Sequence, residues 1–123
     1  MLQVIFTTEK EVLLPLYKRL LNSDKIAGAN YVLREDGIAI GVCQLGITDL
    51  VEIKQFAIEK MQDNEGVADF FFRTVLFKLS FNPFVVRVGK VDDRLLKFGF
   101  CEDGLGGMNV LSQEIAFPSD CGH

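Results

Sequence analysis

The chain has 123 residues, 49% of them hydrophobic, which predicts a single domain over residues 1–123 with a core of its own. Its net charge of −4 and scattered Lys and Arg exclude the basic footprint that tracks nucleic-acid phosphates, so no nucleic-acid partner is expected. No apolar run approaches the ~18 residues of a membrane span, and residues 1–6 carry neither a basic n-region nor a cleavage site, so neither a span nor a signal peptide is expected.

Cys43, Cys101 and Cys121 form no close-spaced pair and read as reduced thiols of a cytoplasmic protein. The sole histidine, His123, argues against a structural zinc site, and it falls in a C-terminal tail. Eleven Phe residues, most of them between Phe70 and Phe100, predict a core centred on that stretch.

Residues 1–7 alternate weakly and predict a first strand. Thr8 to Glu11 has the form of a capping box, with Thr8 as N-cap and Glu11 reaching back. Val12, Leu13, Leu16, Tyr17, Leu20 and Leu21 follow at helical spacing, and Pro15 predicts a kink or the true start of that helix. Residues 22–29 read as a loop. Residues 31–34 and 38–45 predict a hairpin around Glu35-Asp36-Gly37, and residues 51–58 a third strand of the meander.

Residues 66–80 carry the strongest helical pattern. Val67, Phe71, Val75 and Leu79 share a face flanked by Ala68, Phe72 and Leu76, while Asp69, Arg73 and Ser80 are expected to face away. Pro83 ends that helix. A strand at 84–88 follows, then a short helix at 92–98 capped by Asp92 or Asp93 and stopped by Gly99. A glycine-rich loop (103–107), a last strand (108–117) and a tail (118–123) complete the chain. The order β-α-β-β-β-α-β-α-β predicts an α+β fold. Its mixed sheet combines an antiparallel meander with a parallel β-α-β crossover.

Two motifs carry functional information. Phe56-Ala57-Ile58 ends a strand and leads through a turn to Asp63-Asn64-Glu65-Gly66-Val67-Ala68, which opens the strong helix. A strand, tight turn and helix N-terminus in this order can cradle a phosphate-bearing cofactor. Leu95-Leu96-Lys97-Phe98-Gly99-Phe100 ends the short helix further on. With the hairpin segment from Asp36 to Val42, these motifs resemble the GNAT superfamily of N-acetyltransferases over residues 31–100.

The resemblance implies an acyl-CoA N-acyltransferase-like fold, with acetyl-CoA or another acyl-CoA as cofactor and an amine as acceptor. It implies that Phe56, Ala57, Ile58 and Glu59 line the pantetheine arm, the N–H groups of Ile58 and Glu59 facing the thioester oxygen. It further implies that Asp63, Asn64, Glu65, Gly66, Val67 and Ala68 form the turn that holds the pyrophosphate. Glu52, on the same strand, corresponds to a glutamate that serves as base in the histone-acetylating branch. The chain departs from the family pattern twice. Asp63 stands where Arg or Gln is usual, with Gln62 one residue early, and Leu95 stands where a tyrosine supplies the acid.

Those departures leave a second reading open, a non-catalytic GNAT-like domain that binds a regulator or protein partner, with Phe70 and Phe77 as candidate contact residues. In it, Asp63 and Asn64 cap the helix and the acids answer its dipole. A generic α+β domain with neither role is the third. Tyr17 and Tyr31 are the only tyrosines, and Cys43 reads as core rather than nucleophile. The acceptor is a small molecule or a protein amine, and a homodimer is left open.

Overall fold

Strand β1 (Leu2–Thr7) pairs antiparallel with β2 (Ala29–Glu35), and β3 (Ile38–Ile47) and β4 (Val51–Ile58) follow as a meander. The structure is a computed structural model that describes residues 1–118; Cys121, His123 and the rest of the expected tail lie outside the described residues. Asp36 and Gly37 both have positive φ, 50° and 84°, as a two-residue hairpin turn demands. After helix α2 (Glu65–Leu79) the chain returns as β5 (Val85–Val88), parallel to β4. With β6 (Cys101–Glu102) and β7 (Met108–Leu111), the sheet has seven strands in the order β1-β2-β3-β4-β5-β7-β6. This is the expected mixed sheet, a meander joined to one parallel crossover.

Helices cover both faces because neighbouring strand residues point to opposite sides. Val32 packs with Leu13, Leu16 and Tyr17 of the N-terminal helical segment, while Leu33 joins the larger cluster under α2. Phe71, Phe72, Val75 and Leu76 of α2 are all buried in that cluster, so the predicted stripe faces the sheet. Gly41 lets α2 approach: a Cβ there would lie 3.2 Å from the Phe71 ring and 3.1 Å from the Ala57 carbonyl oxygen. Cys43 is buried in the same core, which pushes its thiol up to about 12 and leaves it inert as a nucleophile.

Several local expectations are corrected. Helix α1 (Lys10–Leu16) is capped by Glu9 rather than Thr8, because the Thr7 hydroxyl takes the Glu9 N–H at 3.1 Å. Pro15 lies inside α1, which then widens into a π-helical turn, Tyr17–Leu21, and stops at left-handed Asn22. The last strand ends at Leu111 because Ser112 is tied sideways: its N–H donates to Phe84 O, its hydroxyl donates to Asn82 O, and that hydroxyl accepts from Phe84 N. Asp69 and Arg73 lie off the buried stripe as expected, but they are only part-exposed and paired. Asp69 pairs with Arg73 and Lys97, and Arg73 donates to the Pro118 carbonyl. No helix among the described residues is long and apolar enough to cross a membrane.

Candidate functional site

The pairing of β4 with β5 stops at Ile53↔Val88, so residues 54–58 have no strand on that side. The hydrogen bond from Glu59 N–H to the Ile40 carbonyl, 2.6 Å, sets the phase of the β3–β4 ladder. In an antiparallel pair, bonded and non-bonded positions alternate. The backbone groups of Ala57 and Gln55 therefore face β3, and those of Phe56 and Ile58 face the open side. Glu59 is turned away from it, with its N–H on Ile40 and its carboxylate 2.6 Å from Arg19 Nε.

A cleft of about 400 Å³ lies along this free edge, lined by Glu52, Lys54, Phe56, Phe72, Lys90 and Arg94 among others. Phe56 stacks on Phe72, ring centroids 3.7 Å apart, which fixes the strand against α2. Glu52 is 30% exposed, and its Oε2 lies 3.5 Å from Arg87 Nη1. The Arg87 Nε in turn lies 3.7 Å from Asp103 Oδ2. Asp103 is fixed by the Leu105 and Gly107 N–H groups, which with the Arg87 charge hold its carboxyl below the usual range.

Phe72 and Arg94 join this cleft to a smaller recess beside the first turn of α2. Asn64 caps that helix, its Oδ1 accepting from Val67 N at 3.0 Å, while Ala68 N donates to the Asn64 carbonyl. Glu65 and Gly66 keep N–H groups that no helix satisfies internally. A Cβ on Gly66 would meet nothing closer than Asn64 Oδ1 at 3.4 Å, so the fold itself does not require glycine there. Asp63 and Glu65 are exposed beside this turn. Ala68 and Val67 sit at its base, Ala68 buried and Val67 packed against the core.

Arg94 is the cleft residue that motif reading misses. It belongs to the 3-10 turn Asp93–Phe98, capped by Asp92 and closed by left-handed Gly99, as the sequence predicts for this short segment. Its guanidinium lies 5.3 Å from the Phe56 ring centroid and 5.1 Å from that of Phe72. Asp92 holds it through Nε and Nη2 at 3.0 and 2.7 Å, and this pairing favours the charged forms of both. The signal available in sequence is its place directly before Leu95 in the helix-end motif.

Leu95 is fully buried and has no proton to give. Neither tyrosine substitutes for it. Tyr17 is buried on the opposite face with its hydroxyl on Asn30 Oδ1 and the Ala27 carbonyl, and Tyr31 packs on Phe6 beside a separate recess that includes Ile47 and Phe84. Of the two Phe residues off the main stripe, Phe70 packs on the core, while Phe77 is exposed and touches Phe81 and Phe117.

The free edge of β4 and the first turn of α2 leave backbone groups with which an extended, phosphate-bearing ligand could pair. Asp63 and Leu95 depart from the side chains such a site usually carries. No protein-family model and no curated protein matches the chain. Solved structures do. The ribosomal-protein-S18-alanine N-acetyltransferase from Escherichia coli superimposes with a TM-score of 0.67 at 12% identity, covering 100% of this chain and 99% of its own. The GNAT family N-acetyltransferase YhbS from Escherichia coli, in complex with CoA, gives 0.66 at 15% identity, covering 91% and 81%. The KacTA–DNA complex gives 0.63 at 11% identity, covering 92% and 94%. The fold is that of the GNAT N-acetyltransferases.

Proposed function

We propose that the protein is an acyl-CoA-dependent N-acyltransferase, with acetyl-CoA as the donor to test first and an amine as acceptor. The observation that carries this reading is the free edge of β4, where the Phe56 and Ile58 backbone has no strand partner, a cleft runs along residues 52–56, and Phe72 and Arg94 join that cleft to a recess beside the first turn of α2. An extended chain can pair with such an edge as an added strand would. The cofactor, when bound, supplies an acyl group activated as a thioester. Phe56 and Ile58 orient it through backbone hydrogen bonds, the Ile58 N–H being the donor available to the carbonyl oxygen. Asn64, Glu65, Gly66, Val67 and Ala68 form the turn on which its phosphates rest, the helix end favouring negative charge there.

Glu52 is the carboxylate placed to take a proton from an acceptor ammonium in the same cleft. Its approach to Arg87 holds it at the sheet end of the cleft. With Leu95 in the place of a hydroxyl, no side chain at that position would supply a proton to a leaving thiol. The test is release of free CoA thiol from acetyl-CoA across a panel of small amines and lysine or N-terminal peptides. Acceptor-dependent release supports the reading, and its absence across the panel despite cofactor binding opposes catalysis.

A second reading, a non-catalytic GNAT-like domain that binds a protein partner, is favoured by Leu95 itself, fully buried where an acid would stand. The exposed Phe77 and Phe81 give it an apolar surface.

A further inference from the structure

The entrance of α2 offers anion-binding N–H groups flanked by two acids, Asp63 and Glu65, while Lys60, earlier in the same turn, is exposed and lines neither the main cleft nor the recess beside that entrance. Two carboxylates beside a phosphate oppose its binding, so a cation from elsewhere in the fold has to offset them. The main cleft and a smaller recess of about 260 Å³ beside the first turn of α2 share two lining residues, Phe72 and Arg94. Arg94 is thus the one cation, among the described residues, that borders both. Lys54 and Lys90 line only the main cleft, and Lys97 only the recess, where Asp69 already holds it.

The guanidinium is built into place. It lies over the paired rings of Phe56 and Phe72, and Asp92 grips one side of it, using Nε and Nη2. Asp92 also caps the 3-10 turn through Arg94 N, so the same short segment sets backbone and side chain together. The planar fork has five N–H donors, and the Asp92 grip leaves its Nη1 side for an anion. The Asp63 carboxylate lies near enough to favour the charged guanidinium further.

We propose that Arg94 is the cation that binds the phosphates of an acyl-CoA in this chain, supplying from the 3-10 turn the charge that Asp63 and Glu65 deny the entrance of α2. This rests on the acyl-CoA reading above. The test is calorimetric titration of wild type, Arg94→Ala and Arg94→Lys with CoA at low salt, with thermal unfolding as a check on folding. Pantetheine, which lacks the phosphates, serves as the control ligand, read by ligand-observed NMR at millimolar concentration. Arg94→Ala is expected to weaken CoA about tenfold or more, the loss of a charged hydrogen-bond pair, and to leave pantetheine unchanged. Arg94→Lys is expected to recover part of the loss. Equal or tighter CoA binding by folded Arg94→Ala overturns the proposal. Absence of CoA binding by the wild type overturns the acyl-CoA reading as well, so the two failures are distinct.

Discussion

Phe56 of β4 and Phe72 of α2 lie face to face, ring centroids 3.7 Å apart and planes 4° from parallel, with Phe71 tilted against Phe56 at 5.0 Å. Residues 54–58 have no strand on the cleft side, so these rings, together with the β3 ladder, position the strand end. Phe72 thereby joins two levels of organisation: it is core for the fold and wall for the cleft. Phe72→Ala removes both at once. It should destabilise the protein by about 3–5 kcal/mol, read from the midpoint of guanidinium unfolding.

Two glycines should respond in opposite ways to the same change. Gly41→Ala forces a methyl to within 3.1–3.2 Å of the Ala57 carbonyl, Leu33 and the Phe71 ring, and should cost about 1–3 kcal/mol of stability. Gly66→Ala meets only open space and Asn64 Oδ1 at 3.4 Å. It should leave stability unchanged or raise it by up to about 1 kcal/mol, while weakening CoA binding by crowding the turn. Denaturant unfolding and CoA titration on the same two variants separate the effects.

Asp69 predicts an acid limb in the stability profile. Burial pushes its carboxyl up, but hydrogen bonds from Lys97 and Arg73 outweigh that and hold it below the usual carboxylate range. A carboxyl lowered in the folded state stabilises above its unfolded value of about 3.9, and that contribution is lost as pH falls through the folded value. Wild-type stability should therefore decline below about pH 4 with a component that Asp69→Asn lacks. Thermal midpoints measured from pH 6 downward check this, and parallel profiles for the two proteins would remove the assignment.

Glu52→Gln keeps the size of the side chain and removes its basicity. If Glu52 is the base, kcat/KM for amine acylation should fall by about 10²–10⁴, with CoA affinity unchanged. An unchanged rate across pH would shift the role elsewhere.

Much of this architecture is legible from local signals. The α2 stripe, the meander and the Asp92-to-Gly99 turn each rest on periodicity, turn residues or a cap that acts within a few positions. What escaped depends on partners distant in sequence. Asp69 and Arg73 look solvent-facing until Lys97 and the Pro118 carbonyl arrive beside them. The two-residue β6 exists only through its pairing with β7, and β7 ends early because Ser112 is held by Asn82 and Phe84. Thr8 loses its capping position to Glu9, whose N–H is held by the Thr7 hydroxyl. At the cleft, Phe56 and Gly66 are legible as motif residues, whereas Arg94 acquires its place only when the Phe56–Phe72 stack forms beneath it.

In the proposed function, the cleft along the free edge of β4 takes an acyl-CoA. Calorimetric titration of the purified protein with acetyl-CoA at low salt tests it most directly. One site per chain is expected, with micromolar affinity that weakens as salt is raised. No heat of binding up to millimolar acetyl-CoA would contradict it.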